Sequence, residues 1–340
     1  MVVAMRATAV ARTGATMKSS GKWKDKLLSS SVPLEFECAN LFRSHGFLVG
    51  PEYSYSRLSE GGVGKEFSVD FLATNYPIFE DDDDLRATLE VPVECKYRTV
   101  NKCWLFLPEP DEEDSVLGQG LRAIDEFSAF TILRDATREL NARIRVAYKG
   151  VEINLDSGDV HDADLKHGIY QLKYALPGLV AEHIVDSLHY HPEDNQPLFL
   201  FPLLVTTAKL WIFEQATTIG ACERAKTLEH LASEVPYLTL RTRSGADFQK
   251  HVAQAFGEFK EIESHDRFHV LTRRSADCKS RHEYYDPIRR AHALASGHGD
   301  SAWFDSFVIC NFVALPSLLT TLKTAINADV ANIQFSYPKV

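Results

Sequence analysis

The chain of 340 residues lacks any apolar run long enough to cross a membrane as a helix. Its longest, Leu198 to Val205, has eight residues with a proline among them, and Thr206, Thr207 and Lys209 follow. A helical span needs about twenty. Cysteine is sparse: six residues, at 38, 95, 103, 222, 278 and 310, with no CxxC and no regular spacing. That excludes a disulfide framework or a zinc knuckle and leads us to expect reduced thiols and a cytoplasmic protein without membrane partners. Positive charge is in deficit, with 37 Lys+Arg against 47 Asp+Glu and a net charge of −10. Such a balance argues against coating nucleic acid by bulk charge, while leaving room for a local basic cleft. Several catalytic signatures are absent as well. There is no G-x-S-x-G elbow and no H-E-x-x-H. The glycines around Gly61–Lys65 fail as a phosphate loop, because Ser59 stands where its first glycine belongs and Glu66 where Ser/Thr belongs.

What is present is ordinary globular composition, 45% hydrophobic and 25% charged, in a chain long enough for two or three domains. Residues 1–24 carry Arg6, Arg12, Lys18, Lys22 and Lys24 and no acid. They resemble a transit peptide in composition, but a flexible tail over 1–25, or an upstream start with Met5 and Met17 as alternatives, is the expectation. After Pro33, the positions Leu34, Cys38, Leu41 and Phe42 form a helical face that Gly46 ends. Strand patterns follow over FLVGPEYSYSR, KEFSVDFLA and ATLEVPVECKYR, with the acidic run Glu80–Asp84 as a solvated loop. A helix is expected from Val116 into the 130s, a strand over YKGVEINL, and then a helix over LKHGIYQLKYALPGLVAEHIV that Pro177 should interrupt or kink. LFLFPLLVTT and AKLWIFEQ read as a buried pair of strands, and FDSFVICNF as a strand before a last helix.

The informative chemistry is Asp70, closing FSVDFLA, and Glu94-x-Lys96 in PVECKYR. In the second strand Val91, Val93, Cys95 and Tyr97 share one face, and Glu94 and Lys96 the other. Were the two strands antiparallel neighbours, Asp70 and Glu94 would converge and offer hard carboxylate oxygens to a divalent cation. Lys96, on the same face, would position or deprotonate a water and offset charge on phosphate oxygens.

These residues resemble the PD-(D/E)xK nuclease superfamily, whose core helix often supplies a Glu, followed by an Asp strand, an (E/Q)xK strand and a helix that can supply a Gln. Glu35 or Glu37, Asp70, Glu94, Lys96 and Gln171 stand in that order here. Val69 replaces the motif's proline, and the 24-residue step from Asp70 to Glu94 is long. Tyr170, Gln171 and Tyr174 do not make a strict Q-x-x-x-Y. The resemblance covers roughly residues 30–215. It implies an α/β restriction-endonuclease-like core over 26–215, a mixed central sheet flanked by helices, with a C-terminal α/β extension or accessory domain over 216–340. It implies Mg2+ (or Mn2+ in its place) held by Asp70, Glu94 and the main-chain carbonyl of Cys95, with Glu35 and Gln171 shaping the site. The activity implied is hydrolysis of phosphodiester bonds, foremost in DNA, with a homodimer or defence-system subunits as possible partners. A catalytically inactive protein of the same fold, acting as a nucleic-acid-binding or assembly module, is the competing expectation.

Three further groupings bear on a ligand. Arg98, Lys102 and Trp104, with Lys149, Lys166 and Lys173, could line a nucleic-acid cleft or be ordinary faces around a buried tryptophan. His183, His189 and His191 lack a Cys or acid at ligand spacing and read as surface histidines. Arg273, Arg274, Lys279, Arg281, Arg289 and Arg290 form the most basic C-terminal stretch, open to nucleic acid or a partner.

Overall fold

The computed structural model describes residues 21–58, 64–77, 87–109, 120–128, 130–190, 196–257, 259–260, 272, 275–276, 286–296 and 303–335. The acidic loop Glu80–Asp84, the turn 59–63, His191 and the basic residues 273–281 lie outside them.

The strands in chain order are β1 Leu48–Val49, β2 Tyr53–Leu58, β3 Gly64–Val69, β4 Phe71–Asn75, β5 Thr88–Lys96, β6 Lys102–Pro108, β7 Arg122–Ile124, β8 Phe130–Thr131, β9 Val146–Asn154 and β10 Val160–His161. They continue as β11 Leu198–Leu200, β12 Leu203–Thr206, β13 Lys209–Phe213, β14 Ala232–Val235, β15 Tyr237–Arg241, β16 Ser306–Asn311 and β17 Gln334–Phe335. The helices are α1 Lys22–Ser29, α2 Val32–Ser44, α3 Asp135–Ala142, α4 Ala163–Tyr190, α5 Ile219–Arg224, α6 Ala246–Ala255, α7 Pro287–Ala295 and α8 Leu315–Ala331. Among the described residues thirteen strands build one mixed sheet in the order β1-β4-β5-β12-β16-β15-β9-β6-β13-β14, with β10 beside β9 and β7 and β11 extending from β5. β2 and β3 form a separate hairpin. The architecture is α/β, a large mixed sheet flanked by helices.

Both faces of the sheet are covered, which is why its central strands read as near-continuous apolar runs. On one face, Leu165, Ile169, Leu172 and Leu176 of α4 pack with Phe248 of α6 and Leu294 of α7 over Leu204, Leu210 and Ile309. On the other, Leu34, Cys38 and Phe42 of α2 join Leu318, Leu322 and Ile326 of α8 over Val91, Val93, Cys95, Leu203 and Val205. Glu94 therefore points toward α4.

The structure departs from expectation in four places. Of the helix expected from Val116, residues 116–119 lie outside the described residues, and 120–128 and 130–131 are not helical: Arg122–Ile124 is β7, paired antiparallel with β11, and α3 begins only at Asp135. Sheet pairing of a short, wholly buried segment overrides its local preference. Pro177 does not interrupt α4, which runs for 28 residues. The ring removes the donor for the Lys173 carbonyl one turn back, and at the neighbouring position His251 Nε2 lies 2.7 Å from the carbonyl of Tyr174. LFLFPLLVTT and AKLWIFEQ do not pair with each other. β11 and β12 both run parallel to β5, whereas β13 lies between β6 and β14. Pro92 and Pro202 fall opposite each other where β11 gives way to β12, so both missing donors sit at one break in the ladder. β12 and β13, two residues apart in the chain but five places apart in the sheet, require the sheet to curl, and β13 touches β16. Finally, Lys22–Asp25, at the end of the expected tail, belong to α1.

Residues 216–335 contribute β14, β15 and β16 to the same sheet, β16 lying between β12 and β15. Gly46, at φ 81, ends α2 and lets the Phe47 N–H return to the Phe42 carbonyl.

Candidate active site

β4 and β5 are antiparallel neighbours with Phe71 opposite Val93, so one further step sets Asp70 beside Glu94. Asp70 does not close a strand. It occupies a bend between β3, which pairs with β2, and β4, which pairs with β5. Its carboxylate accepts the Cys95 N–H at 2.6 Å. The Cys95 side chain is in the opposite core, so only its main chain faces Asp70. Glu94 is 1% exposed. Its Oε1 lies 2.5 Å from Lys96 Nζ, and its Oε2, buried, has no hydrogen-bond partner among the described residues. Lys96 also donates to Gln171 Oε1 at 3.3 Å, and the Gln171 amide donates to the Ser68 carbonyl at 3.1 Å, tying α4 to β3. The end of β5 is held by Thr206, whose Oγ1 donates to the Lys96 carbonyl at 2.8 Å.

Glu35 is half-buried in the first turn of α2, whereas Glu37 is exposed. Burial first, and then the Asp70 carboxylate, push the Glu35 pKa up to about 7, with Lys96 opposing. Glu94 is pushed up to about 8 by burial and by Asp70, again against Lys96. Asp70 is raised by burial, against the Cys95 N–H and Lys96. The structure thus brings Glu35, Asp70, Glu94 and Lys96 into one electrostatically coupled group, with Gln171 hydrogen-bonded to Lys96.

Two contributors escaped the sequence reading. Gly168 of α4 lies directly over the site: a Cβ there would stand 2.8 Å from Leu204 Cδ1, 3.2 Å from Lys96 Cε and 3.5 Å from Glu94 Cγ. A glycine within a helical apolar pattern was the available signal. Glu52, which accepts from Ser68 Oγ at 3.1 Å, adds negative charge near Glu35 and Asp70.

The residues fit a hard divalent cation. The orphaned, buried Glu94 Oε2 is an acceptor without a donor, beside a second carboxylate, and the donor set is all oxygen. Among the described residues, the one trio of acid, histidine or cysteine side chains with ligand atoms all within 4.8 Å of one another is Glu152, His161 and Asp164. There, however, the fully buried Glu152 carboxylate already accepts from Arg98 Nε at 2.5 Å, Lys102 Nζ at 2.6 Å and Trp104 Nε1 at 2.9 Å. Arg98 pairs with Asp164 at 2.9 Å as well. Two cations offset the charge a metal would need, so the cluster is an ion-pair hub.

Arg98, Lys102 and Trp104, three of the residues considered for a nucleic-acid cleft, are engaged by Glu152. Trp104 is buried, Lys166 pairs with Asp162, and buried Lys173 donates to Thr242 Oγ1 and the Arg243 carbonyl. Lys149 is exposed. His183 lies 3.4 Å from the Gln196 carbonyl, and Arg290 stacks over Trp303 at 4.4 Å.

The chain matches no protein-family model, no curated protein and no solved structure. Among the described residues no helix is long and apolar enough to cross a membrane.

Proposed function

We propose that the chain is a Mg2+-dependent nuclease of PD-(D/E)xK type that hydrolyses phosphodiester bonds in DNA. One observation carries the reading: a buried carboxylate with an orphaned oxygen, Glu94, sits beside Asp70 with the lysine two residues along the strand on its other oxygen. The order of elements supports it by analogy of fold: helix α2 with Glu35, the bend with Asp70, the antiparallel strand β5 with Glu94 and Lys96, helix α4 with Gln171, and strand β12 parallel to β5.

Asp70, Glu94 and the Cys95 carbonyl are the groups that would hold the ion. Bound there, Mg2+, or Mn2+ in its place, supplies Lewis-acid polarisation of the phosphate and acidifies water. Lys96 is fixed by Glu94 and Gln171 so that its ammonium orients the nucleophile and offsets charge on the phosphate oxygens. Glu35, with its pKa near 7, exchanges a proton at physiological pH. Gly168 leaves Lys96 unobstructed beneath α4.

Cleavage of plasmid and linear DNA with Mg2+ tests the assignment. Glu94→Ala and Lys96→Ala should each lower kcat by about 100-fold or more, the scale of a lost general acid–base or electrostatic group. Equal activity in wild type and both variants would sink the reading.

A further inference from the structure

Helix α1 buries none of its residues. Trp23 is 52% exposed and Leu27 44%, one turn apart. On α2, Val32 and Phe36 are 52% and 67% exposed, again one turn apart. Lys22, Lys24 and Lys26 stand close to the tryptophan in sequence against the single acid Asp25 of the helix, so a basic, aromatic helix stands out from a chain of net charge −10. Lys24 Nζ lies 5.7 Å from the Trp23 ring centroid. The C-terminal end of this helix is tethered. The corner between α1 and α2 is Ser31, whose Oγ accepts the Tyr97 N–H at 3.0 Å, and Tyr97 follows Lys96. Phe36 is the neighbour of Glu35, which senses Asp70 and Lys96.

From this placement we infer that α1 and the exposed face of α2 form a docking platform for single-stranded nucleic acid next to the scissile phosphate. Trp23 and Phe36 serve as stacking surfaces for unpaired bases, and Lys22, Lys24 and Lys26 contact phosphates. The assignment deepens the nuclease reading and rests on it. Charge decides the occupant. A nucleic-acid strand is a polyanion, and the lysines of α1 offer it positive charge that the chain as a whole, at −10, does not. Exposed aromatic rings interleaved with cations are what strands with open base faces bind, whereas a duplex hides those faces.

The test uses the full chain and a fluorescently labelled oligothymidylate, with a hairpin duplex of equal charge for comparison, in EDTA so that binding is read apart from the metal centre. Wild type should prefer the single strand. Trp23→Ala and Phe36→Ala should each weaken that binding about tenfold, within the range for one lost base stack, while Trp23→Phe keeps most of it. Replacing the three lysines by alanine should reduce the slope of log affinity against log salt by about two. If Trp23→Ala and Phe36→Ala bind the single strand as tightly as wild type, while Glu94-dependent cleavage persists, the platform is wrong and the nuclease reading stands. If cleavage never depends on Glu94, the nuclease reading fails whatever α1 binds. Should light scattering show a dimer that Trp23→Ala dissociates, the face belongs to a second copy and the inference is overturned.

Discussion

Glu94 holds its proton up to about pH 8 because it is enclosed and faces Asp70, and Lys96 compensates only one of its two oxygens. The folded pKa is raised from 4.5, so between about pH 4.5 and 8 the metal-free folded state binds more protons than the unfolded chain. The stability this provides is fully present below the unfolded value and is lost as pH rises through 8. Glu35 acts in the same direction through about 7. Metal-free protein should therefore show a Tm that falls between pH 5 and 9. Glu94→Gln should flatten that fall and stabilise the protein at pH 8.5 by about 1–3 kcal/mol, the scale of relieving an uncompensated buried polar group, while removing the metal response. Melting curves in EDTA measure both effects. If Glu94→Gln melts lower than wild type at pH 8.5, the carboxylate is not the strained group described. The same protons must leave when the cation arrives. Mg2+ affinity should thus rise from pH 5 to about 8 and then level, with proton release visible by calorimetry in buffers of different ionisation enthalpy.

Helix α4 covers β5 closely enough that one methyl group is decisive. Gly168→Ala would press on Leu204, which is fully buried, and on the stem of Lys96. Overpacking of this kind costs about 1–3 kcal/mol, and the displaced lysine should lower kcat at least tenfold with KM little changed, as steady-state kinetics would read. Wild-type kcat in Gly168→Ala would show that Lys96 does not need its present position. Of the elements around this site, the sequence made legible those whose periodicity is clean: the α2 face, the alternation Val91-Val93-Cys95 against Glu94-Lys96, and the apolar stripe of α4. Illegible were features decided by partners distant in the chain. The bend at Asp70 exists because β3 and β4 pair with different strands. β7 exists because β11 lies beside it, and the Arg98–Lys102 pair reads as a cleft until the buried Glu152, some 50 residues on, is seen to accept from both. Glu152→Ala should destabilise by about 3–5 kcal/mol, because two buried or half-buried cations lose their counter-charge. Thermal melting against Glu234→Ala, which breaks only the exposed pair with Lys209, provides the comparison.

At the scale of the molecule, the sheet is threaded so that neither end of the chain owns the site. Lys96 ends β5, which leans on β12, and β12 in turn pairs along its whole length, Leu203 to Thr206, with β16, Val308 to Asn311. β16 arrives more than 100 residues later and brings α8, whose Leu318, Leu322 and Ile326 belong to the same hydrophobic core as Val93 and Cys95. The nuclease-like pattern ends near residue 215, but its physical support does not. A chain cut after residue 215 would leave β12 with a bare, apolar edge and remove α8 from the core that α2 shares with β5, exposing both an aggregation-prone strand and apolar surface. Such a fragment should show no cooperative thermal transition and no Mg2+-dependent cleavage, while the full chain shows both. Because contacts between β12 and β16 close a loop of about 100 residues, each doubling of loop length adds only about 0.6 kcal/mol of entropy cost. The late strand can thus complete the sheet without a large penalty. A soluble, cooperatively melting 1–215 fragment that cleaves DNA would overturn this account, since β16 and α8 would then merely decorate a core already able to hold Asp70, Glu94 and Lys96 together.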